Sequence, residues 1–141
     1  DIIKKGKDLT IISYGSTLNI VEKVGQKLLD YDIDCEIIDL QSLIPFDISS
    51  QIKKSVEKTN RILIVDEDMP GGASSYILQE LLNTQKIYNK LDSEPYLLTA
   101  KEHRPPYGSD GDYSSKPSFE DIFEKVYEIM NEVNPNKYSN I

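Results

Sequence analysis

Asp8-Leu9-Thr10-Ile11-Ile12-Ser13-Tyr14, closed by Gly15, is the stretch on which the fold turns. An apolar run with little alternation, ended by a glycine, is typical of a strand covered on both faces, as strands in parallel sheets are. Just upstream, Ile2-Ile3 and the turn around Gly6-Lys7-Asp8 supply a hairpin partner, which predicts a short antiparallel edge strand. Just downstream, Ser16 or Thr17 caps a helix whose Leu18, Val21, Val24, Leu28 and Leu29 share one stripe. Glu22, Lys23 and Lys27 fall off that stripe.

The same alternation repeats along the chain. Cys35-Glu36-Ile37-Ile38-Asp39-Leu40 reads as a strand, and Pro45 with Asp47 resets the chain for a helix through Ile48, Ile52 and Val56. Arg61-Ile62-Leu63-Ile64-Val65 is the next strand and ends in Asp66-Glu67-Asp68. Met69 to Ser74 is a loop by its Pro-Gly and Gly-Gly pairs, leading into Tyr76, Ile77, Glu80 and Leu81 at helical spacing. Tyr96-Leu97-Leu98-Thr99 is the last strand. A polar crossing from Ser109 to Lys116 is expected to be exposed and mobile. The closing helix carries Phe119, Ile122, Phe123, Val126, Tyr127 and Met130 on one face, with Ser118 and Asp121 placed as a capping box. Residues 1–133 form the domain and 134–141 a polar tail. Strands alternating with helices imply right-handed parallel crossovers, hence a three-layer α/β/α sandwich.

At 141 residues there is room for about one domain, and its core can be substantial. Acids outnumber bases 24 to 16, a net charge of −8 that repels polyanions, so no nucleic-acid partner is expected. No segment approaches the ~18 apolar residues of a membrane span, so no membrane partner is expected either. The single cysteine, Cys35, gives neither a disulfide framework nor a thiolate cluster and fits a reducing compartment. The first residue is Asp1 rather than Met, which is expected of a processed chain or a piece of a longer one.

Function in such sheets sits beyond the carboxyl ends of the strands, where strand order reverses. There Gly15, Ser16 and Thr17 offer free N–H groups to an anion, but one glycine without a Gly-x-Gly-x-x-Gly or a P-loop pattern reads as a tight turn with a hydroxyl cap. Asp66-Glu67-Asp68 beside Gly71-Gly72 resembles a cation site, yet successive side chains point different ways and cannot converge on one ion. The diglycine instead allows close approach of another chain or loop. Asp110-Gly111-Asp112 fails as a calcium loop, because Ser115 stands where that loop needs glycine and Pro117 interrupts it. His103, between Glu102 and Arg104, has no nucleophile placed beside it and reads as a loop or interface histidine. Cys35 reads as a small buried hydrophobe. Of the nine tyrosines, Tyr76 and Tyr127 fall on helix stripes and Tyr14 and Tyr96 on strands, which fits core packing, and Tyr107 and Tyr113 in the polar crossing are the better candidates for contact with a partner.

The order of these pieces resembles the C-terminal domain of the transketolase superfamily, and within it the β portion of the decarboxylating 2-oxo acid dehydrogenases. The resemblance is carried by Gly6 to Gly15, by Cys35 to Asp47 with its Leu43-Ile44-Pro45-Phe46-Asp47, by Ser55 to Arg61, by Glu67 with Gly71-Gly72, and by Pro117. It implies a five-stranded sheet, four strands parallel and one antiparallel. It also implies a parent enzyme that decarboxylates a 2-oxo acid on thiamine diphosphate and Mg2+, both held by other domains, and passes the acyl group to a lipoyl arm. This domain would then carry no catalytic, cofactor or metal residue. It would help assemble a homodimer or larger oligomer, contact the remaining domains or subunits, and dock the dihydrolipoyl acyltransferase core. Gly15, Ser16, Thr17, Glu67, Gly71, Gly72, His103, Arg104 and Tyr107 are the expected switch-point or interface residues.

The resemblance leans to the branched-chain (2-oxoisovalerate) type and to a cytoplasmic location, or the mitochondrial matrix in a eukaryote. The loop Glu102 to Tyr107 departs from the family pattern of an acid followed by Pro-x-Pro. Two alternatives stand beside this reading. One is the C-terminal domain of transketolase or deoxyxylulose-phosphate synthase. The other is a free-standing flavodoxin-like binding or signalling module with Asp66 as phospho-acceptor and Lys101 as its partner. That module needs an acidic pair after the first strand, and Tyr14-Gly15-Ser16 offers none.

Overall fold

The computed structural model describes residues 2–15, 17–40, 51–66, 91, 95–98, 101–102, 114–115 and 117–138. Five strands, β1 (Ile2–Lys4), β2 (Leu9–Ser13), β3 (Cys35–Asp39), β4 (Ile62–Val65) and β5 (Tyr96–Leu98), form one sheet in the order β1-β3-β2-β4-β5. β2 lies parallel to both β3 and β4, β4 lies parallel to β5, and β1 alone is antiparallel. The expected mixed sheet with one antiparallel edge strand is thus present.

The hairpin expected between β1 and β2 is not. β1 pairs with β3, with Ile2 opposite Ile38. The reason is local: Gly6 crosses against the backbone of Cys35, so closely that a Cβ there would stand 2.3 Å from the Cys35 carbonyl carbon. The N–H groups of Lys7 and Asp8 both donate to the Asp34 carbonyl, at 3.1 and 2.8 Å. The Lys4 ammonium reaches Asp34 at 3.0 Å and the Cys35 carbonyl at 2.9 Å. These bonds lay the first strand along β3 and leave β2 central, paired on both edges.

Helices α1 (Thr17–Leu28) and α3 (Phe119–Val133) cover one face of the sheet, and α2 (Gln51–Thr59) covers the other. The period-two alternation of the strands divides the core accordingly. Leu9, Ile11, Cys35, Ile37, Leu63 and Val65 meet α1 and α3, whereas Ile12, Ile38, Ile62 and Ile64 meet Ile52 and Val56 of α2. The capping box of α3 is formed in both directions: Asp121 N–H donates to Ser118 Oγ at 3.1 Å, and Ser118 N–H donates to the Asp121 carboxylate at 3.0 Å. Leu29 leaves the predicted stripe and is 45% exposed, because α1 tightens there into a 3-10 turn (Leu29–Tyr31) that ends on left-handed Asp32.

Three findings were not anticipated. Strands that read as apolar also bury Thr10 and Glu36 on the α2 side. Thr10 shares hydrogen bonds of 2.7 Å with Ser55 and with Thr59, and Glu36 accepts from the Gly6 N–H at 3.3 Å and pairs with Lys58. Within the polar crossing, β7 (Ser114–Ser115) pairs antiparallel with β6 (Lys101–Glu102), so part of that segment is laddered rather than a free loop. In the stretch read as a polar tail, Tyr138 is buried against Tyr127 and donates to the Asp32 carbonyl at 2.9 Å. The segments 41–50 and 67–90, which include the predicted loop at Gly71-Gly72 and the helix through Tyr76, lie outside the described residues.

Candidate functional site

The strand order fixes where a functional edge belongs. From β2 the chain passes through α1 to β3 on one side, then returns through α2 to β4 on the other, so direction reverses between β2 and β4. The crevice beyond the carboxyl ends of these two strands is the switch point.

Ser13, Tyr14, Gly15 and Thr17 reach that edge from β2, and Asp66 reaches it from β4. Gly15 has φ 66°, a left-handed conformation that glycine adopts without a Cβ penalty, and this turns the strand into α1. Its carbonyl accepts from Leu18 N–H at 3.2 Å. The Thr17 hydroxyl donates to the Tyr14 carbonyl at 2.8 Å, so the 2.9 Å contact from Ser13 Oγ donates to Thr17. Thr17 therefore ties the turn back to the strand.

Across the crevice, the Tyr14 hydroxyl donates to the Asp66 carboxylate at 2.7 Å. Asp66 is fully buried, and its N–H donates to the Leu98 carbonyl at 2.9 Å, which extends the β4–β5 pairing by one step. Ile12 faces Ile64 in the β2–β4 register, so two residues further on Tyr14 and Asp66 come to the same face. Sequence reasoning considered both residues but did not pair them. The signal is there in hindsight: a tyrosine and an aspartate each end one of two strands that turn out to be adjacent.

Of the expected interface residues, Gly15 and Thr17 sit at this edge. Ser16, Glu67, Gly71, Gly72, His103, Arg104 and Tyr107 lie outside the described residues. A magnesium diphosphate needs accessible oxygen ligands, and the Asp66 carboxylate is instead buried on a tyrosine hydroxyl; the described residues of this edge do not fit that group. The same burial argues against Asp66 as a phospho-acceptor. Cys35 lies in mid-strand, where burial pushes its thiol up to about 12, so it is protonated and poorly nucleophilic at neutral pH.

Comparison with known proteins bears on the family and the fold. The family model for the transketolase C-terminal domain matches residues 1–115. The pyruvate dehydrogenase E1 component subunit beta of Mesostigma viride is 37% identical over 130 residues, covering 92% of this chain and 39% of that subunit. The corresponding subunit of Chlorokybus atmophyticus is 32% identical over 127 residues, covering 89% of this chain and 37% of that subunit. The chain thus spans about two fifths of the length of these relatives. Among solved structures, a split-gene transketolase in an inactive β4 tetramer superposes with a TM-score of 0.65 at 20% identity, over 91% of this chain and 41% of that one. A 2-oxoglutarate:ferredoxin oxidoreductase from Magnetococcus marinus gives 0.59 at 16% identity, over 91% of this chain and 19% of that one. Both share the fold. With its mixed five-stranded sheet and a matching family model over most of its length, the chain belongs to the transketolase C-terminal domain family.

Proposed function

We propose that this chain is the assembly domain of the β part of a thiamine-diphosphate-dependent 2-oxo acid dehydrogenase, of the pyruvate type. The observation that carries this reading is the switch-point crevice, the usual ligand position in such sheets, which is spanned here by the Tyr14–Asp66 hydrogen bond. The domain's own side chains occupy the place where a substrate or cofactor would otherwise bind. Thiamine diphosphate and Mg2+ belong, in this reading, to other domains of the parent enzyme. Gly15, with Ser16, Glu67, Gly71, Gly72, His103, Arg104 and Tyr107, is assigned in this reading to meet neighbouring subunits and the acyltransferase core, while buried Thr17 holds the turn that carries Gly15.

The pyruvate type is preferred to the branched-chain type because the relatives with 37% and 32% identity are both pyruvate dehydrogenase subunits. The same names favour a dehydrogenase over transketolase or deoxyxylulose-phosphate synthase. The test is sedimentation equilibrium of the whole chain over a range of concentrations, with Gly71→Arg and Arg104→Glu as the variants. Each variant is checked for folding by circular dichroism. Reversible dimerisation that either folded variant weakens supports an assembly role. A chain that stays monomeric at every concentration contradicts homodimerisation through this domain.

A further inference from the structure

A second feature lies on the helical face that carries α1 and α3. Lys27, Tyr31, Phe119, Glu120, Phe123 and Glu124 line an open cleft of about 200 Å³. The rings of Phe119 and Phe123 are nearly parallel, 11° apart with centroids 6.3 Å apart. Tyr31 stands across Phe123 at 75° and 5.1 Å, and is 39% exposed. Two parallel rings and one upright ring give the cleft an aromatic corner.

Its charges are unbalanced. The Lys27 ammonium lies 3.6 Å from Asp30, which offsets it locally. Glu120 and Glu124 are both exposed and one helical turn apart, a spacing at which like charges repel. Among the described residues neither has an ion-pair partner. Glu120 is explained by the positive end of the helix dipole, since it lies in the first turn of α3. Glu124 lies beyond that turn, so the dipole does not account for it.

Aromatic faces flanked by carboxylates that no described residue pairs are complementary to an organic cation. The volume is below the ~300–1,000 Å³ typical of cofactor and drug-sized sites, which restricts the occupant to something small. We propose that the cleft binds a small alkylated ammonium ion of about the size of choline. The inference is independent of the assembly reading, because none of the residues lining the cleft is among those assigned to the switch point and either can fail alone.

The experiment is a titration of the whole chain with choline chloride at low salt, read by NMR of the aromatic side chains. Matched titrations use sodium chloride and 3,3-dimethylbutan-1-ol, the uncharged carbon isostere. The expected result is a saturable shift at Tyr31, Phe119 and Phe123, with choline bound about tenfold more tightly than the alcohol. Glu120→Gln with Glu124→Gln, both exposed, lowers choline affinity about tenfold while the circular dichroism is unchanged. Tyr31→Leu gives a second reading in the same direction. Equal binding of the alcohol, shifts centred elsewhere, or no saturation overturns the proposal. So does an arginine-containing peptide that binds a hundredfold more tightly than choline, which would make the cleft a docking surface instead.

Discussion

Glu36 shows how a single position in a strand can run against the composition around it. Its burial pushes the carboxyl pKa up, but hydrogen bonds from Lys58, Ser55 and the Gly6 N–H, together with the Lys58 charge, outweigh that and hold it below its ordinary value. A carboxylate with a lowered folded pKa contributes stability above its unfolded pKa, about 4.3, and loses it as pH falls through the folded value. Glu36→Gln is therefore expected to be less stable than the parent chain near neutral pH, and the gap should close below about pH 4 in denaturant titrations. Lys58 is about half exposed, so the pair itself adds little, but Lys58→Met leaves a buried carboxylate without its cation and should cost more than Glu36→Gln. Gly6 is constrained differently. An added Cβ would meet backbone atoms of Cys35 and Glu36, which cannot swing aside as a flexible side chain can. Gly6→Ala should cost roughly 3 kcal/mol, read from the denaturation midpoint. None of this was legible in the sequence, because Glu36 and Gly6 owe their roles to a partner about 30 residues away.

The helices and strands were more legible than their neighbours in space. The closing helix was read correctly from its apolar spacing and from Ser118 and Asp121, because a capping box is a local device that needs only its own residues. Ser118→Ala should cost about 1 kcal/mol and fray the first turn of α3, seen as faster amide exchange at Asp121 and Ile122. The strands were found from continuous apolar runs, yet the pairing of β1 was misread, because a turn before β2 looks like a hairpin until the Lys7 and Asp8 N–H groups are seen bound to Asp34. The Tyr14–Asp66 contact was hidden for the same reason: it requires β2 and β4 to be adjacent, and adjacency is a property of the sheet order. Tyr14→Phe leaves the buried Asp66 carboxylate one donor short. That should lower stability by about 1–3 kcal/mol without changing the fold.

Taken as one body, the domain spans its switch-point edge with its own tyrosine and aspartate, and in the proposed reading catalysis belongs to other parts of a larger enzyme. The sandwich architecture and the family were both legible, since they depend on the alternation of elements and on the stretch from Cys35 to Asp47. At the strand edge, the positions of Gly15 and Thr17 after β2 were legible, while the Tyr14–Asp66 bridge beside them was not. If the division of labour is right, the chain has no site for the parent's cofactor, and a ligand that does not bind cannot stabilise. The decisive measurement is differential scanning calorimetry of the 141-residue chain with increasing thiamine diphosphate and Mg2+. The account predicts an unchanged unfolding temperature at every concentration, and a rise that saturates in the micromolar range would contradict it.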